Sequence, residues 1–253
     1  MILAAGLGTR LMPLTADKPK ALVEIGCKTL LEYCIDNLIS QGFNHIVINV
    51  HHFAPMIYEF LSKRKFSASI FISDESDRLL DTGGGIIHAR QFLDGDEPFL
   101  VHNVDIISDI NLKELVEIHS TKDVLATLAV SRRESSRVFL FDEDMLLSGW
   151  RNMLTGKSIF PNMHKTVLDA YAFAGIHVIS PQIFELISTQ GVFSIVDAYL
   201  NLCKDNRITG VNLDENFILD VGKPDALKLA EEFLLTRQDR KSTRLNSSHR
   251  IRS

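Results

Sequence analysis

The chain has 253 residues, 45% of them hydrophobic and 23% charged, fractions that suit a globular protein and exclude a mainly disordered one. No apolar run approaches the ~18 residues of a membrane span, and no basic-then-apolar leader opens the chain. Three cysteines, Cys27, Cys34 and Cys203, with no CxxC among them, argue against a disulfide framework and for a reducing, cytoplasmic setting. Residues 1–236 hold 21 basic and 31 acidic groups, a net −10 within a whole-chain −5, so this body lacks the cationic surface that nucleic-acid phosphates require.

In chain order, Met1–Ala5 is short and apolar and reads as a strand, cut by Gly6 and Gly8. Thr29–Ser40 carries Leu30, Leu31, Cys34, Ile35 and Leu38 at helical spacing. His45–Val50 reads as a buried strand, Pro55–Lys65 as a helix and Ala68–Ser73 as a strand. Thr82–Phe92 reads as a helix opening on Thr82 as its N-cap. Pro98–His102, Leu112–His119 and Val124–Val130 continue as strand, helix and strand. This alternation predicts a three-layer α/β fold with a mixed, mostly parallel sheet between helices.

Beyond residue 130 the alternation loosens. Val138–Phe141 and Met145–Trp150 read as a strand pair around Asp142-Glu143-Asp144, and Arg151–Leu168 as a loop. Ala170–Ile179 is a strand, Pro181–Ser188 and Ser194–Cys203 are helices, Ile208–Leu213 and Phe217–Asp220 are strands, and Pro224–Leu235 is a closing helix. Residues 237–253 carry six basic groups and one acid without apolar periodicity. They read as a disordered basic tail of the kind a cloning or sequencing scar leaves, with the folded domain at 1–236.

Two segments bring cations to a glycine turn. Leu3-Ala4-Ala5-Gly6-Leu7-Gly8-Thr9-Arg10 takes a strand into two glycines and an arginine. Glycine lets backbone N–H groups approach an anion closely, and an array of them forms an anion cradle. The third glycine of a dinucleotide fingerprint and the GK[ST] ending of a Walker loop are both absent. Lys20 follows ten residues after Arg10, on a stretch held by Pro13 and Pro19. Two cations beside such a turn suit a polyphosphate. Asp105 follows a buried-looking strand and Asp220 precedes Pro224; carboxylates of this kind suit magnesium, although each taken singly reads as a turn aspartate. Asp74-Glu75 and Asp142-Glu143-Asp144 read as surface acids, with Glu75 facing a nucleotide's base as the alternative. His51-His52 point different ways along the chain, and no Ser-His-Asp or Cys-His set is visible.

The stretch Leu3–Tyr33, LAAGLGTRLMPLTADKPKALVEIGCKTLLEY, resembles the opening signature of the sugar-1-phosphate nucleotidylyltransferases: LAAGxGTRLxPLT, then PKxL, then KPxLxY, with Thr29 where proline is common. Family members carry two or three further residues before this strand, so a clipped first strand is expected. Leu80–Ile86 resembles the family's second glycine stretch, which faces the nucleoside. Asn103-Val104-Asp105 resembles the strand end whose aspartate holds magnesium, and Asp220–Pro224 the element that supplies the second carboxylate. Ala172–Ile176 resembles the strand lining the sugar side.

The resemblance implies a nucleotide-diphospho-sugar transferase fold of Rossmann-like type, and the reaction of an NTP with a sugar 1-phosphate to give an NDP-sugar and pyrophosphate. It implies nucleotide contacts from Leu3, Ala5, Gly6, Gly8, Thr9, Gly83 and Gly84. Arg10 would meet the leaving pyrophosphate, and Lys20 would bridge the α-phosphate and the sugar phosphate. Asp105 and Asp220 would hold Mg2+, with Asn103 and Gly175 at the sugar phosphate. The expected partners are these two substrates, with neither nucleic acid nor membrane, in a monomer or homodimer. Removing either aspartate charge is expected to leave folding unharmed, since like charges repel when no metal is bound. The triple glycine Gly83-Gly84-Gly85 after Asp81-Thr82, the compact length and the absence of β-helix repeats resemble the short N-acetylmuramate-1-phosphate uridylyltransferases of cell-wall recycling. The mannose-1-phosphate guanylyltransferases are the rival subgroup, and Trp150-Arg151-Asn152 stands where the family often has EKP. A nucleotide-sensing protein that had lost catalysis on this fold would lack Arg10, Lys20, Asp105 or Asp220; all four are present.

Overall fold

A computed structural model describes residues 1–161 and 167–236. The expected tail at 237–253 and part of the expected loop at 151–168 lie outside the described residues. β1 (Ile2–Leu3) runs into the glycine turn, and two 3₁₀ turns, Thr9–Leu11 and Lys20–Leu22, follow it. A hairpin of β2 (Glu24–Ile25) and β3 (Lys28–Thr29) turns at Gly26, whose φ of 60° glycine adopts without steric cost. Next come α1 (Leu30–Ser40), β4 (His45–Val50), α2 (Ala54–Ser62), β5 (Ser69–Asp74), α3 (Asp81–His88) and α4 (Arg90–Leu93). β6 (Phe99–Asn103), β7 (Ile106–Ser108), α5 (Leu112–Ser120) and β8 (Ala126–Ser131) follow. The remainder is β9 (Arg137–Phe141), β10 (Leu147–Asn152), β11 (Ser158–Ile159), β12 (Asp169–Ile179), α6 (Ile183–Leu186), α7 (Ile195–Leu202), β13 (Ile208–Asn212), β14 (Ile218–Asp220) and α8 over 224–236.

Helix starts are set by side-chain acceptors. Thr29 accepts from the Glu32 N–H ahead of α1, Asn111 from the Glu114 N–H ahead of α5, and Ser194 from the Val196 N–H ahead of α7. Thr82 does not cap α3, which begins one residue earlier at Asp81. Its hydroxyl accepts from the Ile195 N–H instead (3.0 Å), so the residue that looked like a local cap is a tertiary one.

Among the described residues ten strands form one sheet in the order β11-β10-β9-β12-β6-β1-β4-β5, with β8 joined to β12 and β13 to β8. The run β6-β1-β4-β5 is parallel, as is β13 with β8. β12 is antiparallel to β6, β8 and β9 and links the two halves. The central parallel strands β4 and β6 are buried on both faces, as helices on either side require, and β5 at the edge only partly. Ile2, Leu31, Ile35, Ile48, Ile57 and Leu115 close one face, and Val47, Val101, Leu128, Phe139, Ile183 and Tyr199 the other. Each such side chain contributes roughly 1.5–3 kcal/mol by leaving water. The loop expected at 151–168 is partly ordered: β10 reaches Asn152, and β11 pairs with it through Trp150↔Ile159 and Arg151↔Ser158. Among the described residues no helix is long and apolar enough to cross a membrane.

Candidate active site

Ligands of open α/β sheets gather beyond the carboxyl ends of the parallel strands, and the polar residues gather there too. β1 and β6 end side by side, with Leu3 opposite Asn103 and the Val104 N–H donating to the Leu3 carbonyl (3.1 Å). Asp105 comes next. β7 pairs antiparallel with β14, setting Asp220 opposite Ile106, and the Val221 N–H donates to the Asp105 carbonyl (2.8 Å). Two aspartates distant in sequence thereby become backbone neighbours. Strands of three residues show no readable period, so the β7–β14 pairing was not visible in the sequence.

Each aspartate has a cation. Lys20 Nζ, in a residue only 8% exposed, forms an ion pair with Asp105 Oδ2. Arg10 Nη1 lies 3.9 Å from Asp220 Oδ2 in a more open setting. The Gly222 N–H donates to Asp220 Oδ1 (2.7 Å), and a Cβ on Gly222 would stand 2.7 Å from both Arg10 Nη2 and Asp220 Oδ1. A side chain at 222 would displace the Arg10 guanidinium or the Asp220 carboxylate. These four side chains therefore form two neutral pairs that a polyanion and a divalent cation can separate, the phosphates drawing the cations and the metal the carboxylates.

The glycine turn folds against the same pairs. Gly8 has φ 66°, and its carbonyl accepts from Thr15 Oγ1 (2.9 Å). A Cβ on Gly8 would lie 2.9 Å from Thr15 Cγ2 and 3.0 Å from Lys20 Cβ. The Ala4 and Ala5 N–H groups donate to Asn49 Oδ1 (2.6 and 3.3 Å). Among the described residues the amides of Gly6, Leu7 and Gly8 make no hydrogen bond to the protein. Unpartnered amides in succession are what an anion cradle requires. Thr9 and Arg10 follow, both exposed.

A cavity of about 340 Å³ opens beside the turn, lined by Leu3, Ala5, Gly6, Lys20, Asn103 and Asp105. Asp81, Thr82 and Val192 close its other side. Gly83 and Gly84 are buried beneath: a Cβ on Gly83 would meet the Phe193 ring at 2.4 Å, and one on Gly84 the Gly191 carbonyl oxygen at 2.2 Å. These two glycines let α3 sit against 191–193. Gly175 (φ 73°) packs on Asn103, where a Cβ would lie 2.6 Å from Nδ2, so the two residues assigned to the sugar side are in contact.

The sequence reading missed Asn49, Gly222 and Thr15, and it took Glu75 for a surface acid. Glu75 is 3% exposed. It accepts from Asn49 Nδ2 (2.8 Å) and the Leu80 N–H (3.3 Å), while burial pushes its carboxyl above the usual range. The available signal was an asparagine inside the apolar run Ile48-Asn49-Val50. Among the described residues no group of three or more His, Cys, Asp or Glu side chains could hold an ion. Two carboxylates at adjacent backbone positions still fit magnesium, which takes one or two carboxylates and fills its remaining positions with substrate phosphates and water.

Residues 1–237 match the nucleotidyl transferase family. The chain belongs to that family. This nucleotidyltransferase is 34% identical to the N-acetylmuramate alpha-1-phosphate uridylyltransferase of Caulobacter vibrioides, over 92% of this chain and 94% of that one. It is 28% identical to a mannose-1-phosphate guanyltransferase of Hypocrea jecorina, over 88% of this chain and 60% of the relative. The crystal structure of HddC from Yersinia pseudotuberculosis complexed with GMP-PN shares the fold, with TM-score 0.72 and 22% identity over 92% of this chain and 97% of that one. The enzyme is a sugar-1-phosphate nucleotidyltransferase, of a family that uses a nucleoside triphosphate and a sugar phosphate.

Proposed function

We propose that this nucleotidyltransferase joins UTP to N-acetylmuramate 1-phosphate, forming UDP-N-acetylmuramate and pyrophosphate. The observation that carries the reading is the 34% identity to the Caulobacter vibrioides uridylyltransferase across nearly the whole of both chains. The guanyltransferase of Hypocrea jecorina is less similar and has a further part that this chain does not match.

The sugar phosphate is itself the nucleophile. Its second ionisation, near pKa 6 by analogy with phosphorylated side chains, leaves a dianion at neutral pH, so no side-chain base is needed. One of its oxygens attacks the α-phosphorus in line, the bond from that phosphorus to the bridging oxygen breaks, and pyrophosphate leaves with the electron pair. The chain's task is to position two polyanions and to neutralise them. The free amides of Gly6, Leu7 and Gly8 receive the triphosphate, with Leu3, Ala5 and Thr9 around the nucleotide and Gly83 and Gly84 behind the cavity wall, where they seat α3 on 191–193. Lys20 turns from Asp105 to the α-phosphate and the incoming sugar phosphate. Arg10 turns from Asp220 to the pyrophosphate. Asn103 and Gly175 border the sugar. Asp105 and Asp220 would hold magnesium, which when bound offsets the charge of the phosphates.

Side-by-side kinetics with UTP plus N-acetylmuramate 1-phosphate and with GTP plus mannose 1-phosphate test the reading. The first pair is expected to give kcat/KM at least about tenfold higher, the order that one or two specific contacts supply. Preference for the second pair contradicts it.

A further inference from the structure

The buried Asn49–Glu75 contact is not accounted for by the chemistry above. Both oxygens of Glu75 act as acceptors here, whereas the asparagine amide has one donating and one accepting end. Glu75 accepts from Asn49 Nδ2 at Oε1 and from the Leu80 N–H at Oε2. With its nitrogen so directed, the Asn49 amide has one orientation left, oxygen toward the turn, where it accepts from the Ala4 and Ala5 N–H groups. The flipped amide would set NH2 against two N–H donors and an oxygen against a carboxylate, losing bonds at both ends.

We propose that Asn49 and Glu75 are a positioning pair that ties the triphosphate-binding turn to the segment leading into α3, and so fixes the two walls of the nucleotide site relative to each other. Three observations carry it. Both side chains are nearly fully buried, at 2% and 3% exposure, where a misdirected polar group costs most. The pair uses the Ala4 and Ala5 amides and no later ones, so the turn can point its next three N–H groups elsewhere. The third residue of the triple glycine fits as well: a Cβ on Gly85 would lie 2.7 Å from Glu75 Oε1 and 2.9 Å from Asn49 Nδ2. Gly83 and Gly84 make room for 191–193, and Gly85 makes room for this pair.

The proposal rests on assigning the turn to the triphosphate. Its test exchanges donor and acceptor. Asn49→Asp keeps an acceptor for the turn but faces Glu75 with a second carboxylate. Glu75→Gln keeps shape but can accept only one of the two N–H groups. The double variant N49D/E75Q restores every bond, because the new carboxylate accepts from the turn and from the new amide nitrogen, while the new amide oxygen accepts from Leu80. In the folded proteins each single change is expected to raise KM for UTP about tenfold and leave KM for the sugar phosphate within about twofold, with the double variant back within about threefold of the parent. A folded single variant with parental KM for UTP, equal shifts in both KM values, or a folded double variant that does not recover overturns the proposal. If a single variant does not fold, the double variant decides alone by the same threshold. Lys20→Met measured alongside separates the premises. An unchanged kcat/KM for UTP there removes the triphosphate assignment and the proposal with it, whereas a lowered kcat/KM there with unmoved Asn49 and Glu75 variants overturns the pair alone.

Discussion

The parallel strands β5-β4-β1-β6 and the antiparallel strands around β12 reach the site with different equipment. The parallel half ends in the free amides, in Asn49, and in Asp105 with its Lys20 partner. In the proposed mechanism these groups handle phosphate and metal, whatever the sugar. The antiparallel half contributes Gly175 against Asn103 and carries the β9-β10-β11 extension with Trp150 in the place of the family's EKP. On this account the shared chemistry and the sugar choice sit on opposite sides of the β6–β12 seam. Substitutions on the two sides should therefore move different kinetic constants.

The largest expected effect lies on the parallel side. Lys20→Met should lower kcat/KM by about 10²–10³, the loss typical of one preorganised electrostatic group, and steady-state kinetics at saturating magnesium checks it. Asp105→Asn and Asp220→Asn should each cost about 10² in turnover, with the double variant little worse than the worse single, because residues acting as a unit are not additive. Their stabilities should diverge. The sequence suggested that losing either charge spares the fold, but Asp105 pairs with a buried lysine. Asp105→Asn leaves that ammonium without its partner and should cost roughly 2–3 kcal/mol, between the values for surface and fully buried pairs. Asp220 pairs at 3.9 Å with a largely exposed Arg10, so Asp220→Asn should leave the melting temperature nearly unchanged. Equal melting temperatures for the two variants would contradict the difference in burial.

Across the seam, Gly175→Ala places a methyl 2.6 Å from Asn103 Nδ2 at a φ of 73° that side chains rarely adopt. KM for the sugar phosphate should rise about tenfold while KM for UTP stays within about twofold. A shift confined to UTP would place Gly175 on the wrong side of the seam.

The last effect is one of stability and follows from buried histidines. His177 Nδ1 on β12 shares a hydrogen bond with the Tyr199 hydroxyl (2.6 Å), and burial pushes its pKa down to about 3. His119 on α5 sits between Thr127 of β8 and Ser180 (2.9 Å each), with burial lowering its pKa to about 4. Both are neutral in the fold and titrate near 6.5 once unfolded. The stability they contribute is complete above pH 6.5 and is lost as pH falls toward their folded values. The loss reaches up to about 2 kcal/mol each at pH 5. His102 on β6, paired with β1, is buried too and pushed down to about 4, so acid should raise hydrogen exchange along β6 as well as along β8 and β12. His119→Gln should shrink the fall in melting temperature between pH 7 and 5, and an unchanged fall would remove His119 from this account.

What could be read from the sequence was set by the length of the local pattern and by how far away in the chain each partner lies. Arg10 and Lys20 were legible because a long linear pattern surrounds them, Asp105 and Asp220 through short motifs at strand ends, and α1 and β4 because eleven and six residues suffice to show a period. Glu75 was not, since its burial depends on Asn49, 26 positions away. The β2–β3 hairpin and the β7–β14 ladder were too short to show alternation. Gly83 and Gly84 were visible as glycines, but the 191–193 segment that requires them lies more than a hundred residues on. β11 was missed because two residues beside a turn look like loop until Trp150 and Arg151 pair with them.

The account's central claim is that the sugar phosphate, and not water, attacks the nucleotide. Incubating the enzyme with UTP and magnesium, with and without N-acetylmuramate 1-phosphate, and following pyrophosphate release alongside the mass of the nucleotide product tests it most directly. The account predicts one UDP-sugar for each pyrophosphate and no release beyond background when the sugar phosphate is left out. Pyrophosphate released at the same rate without it, with UMP as the product, would contradict it.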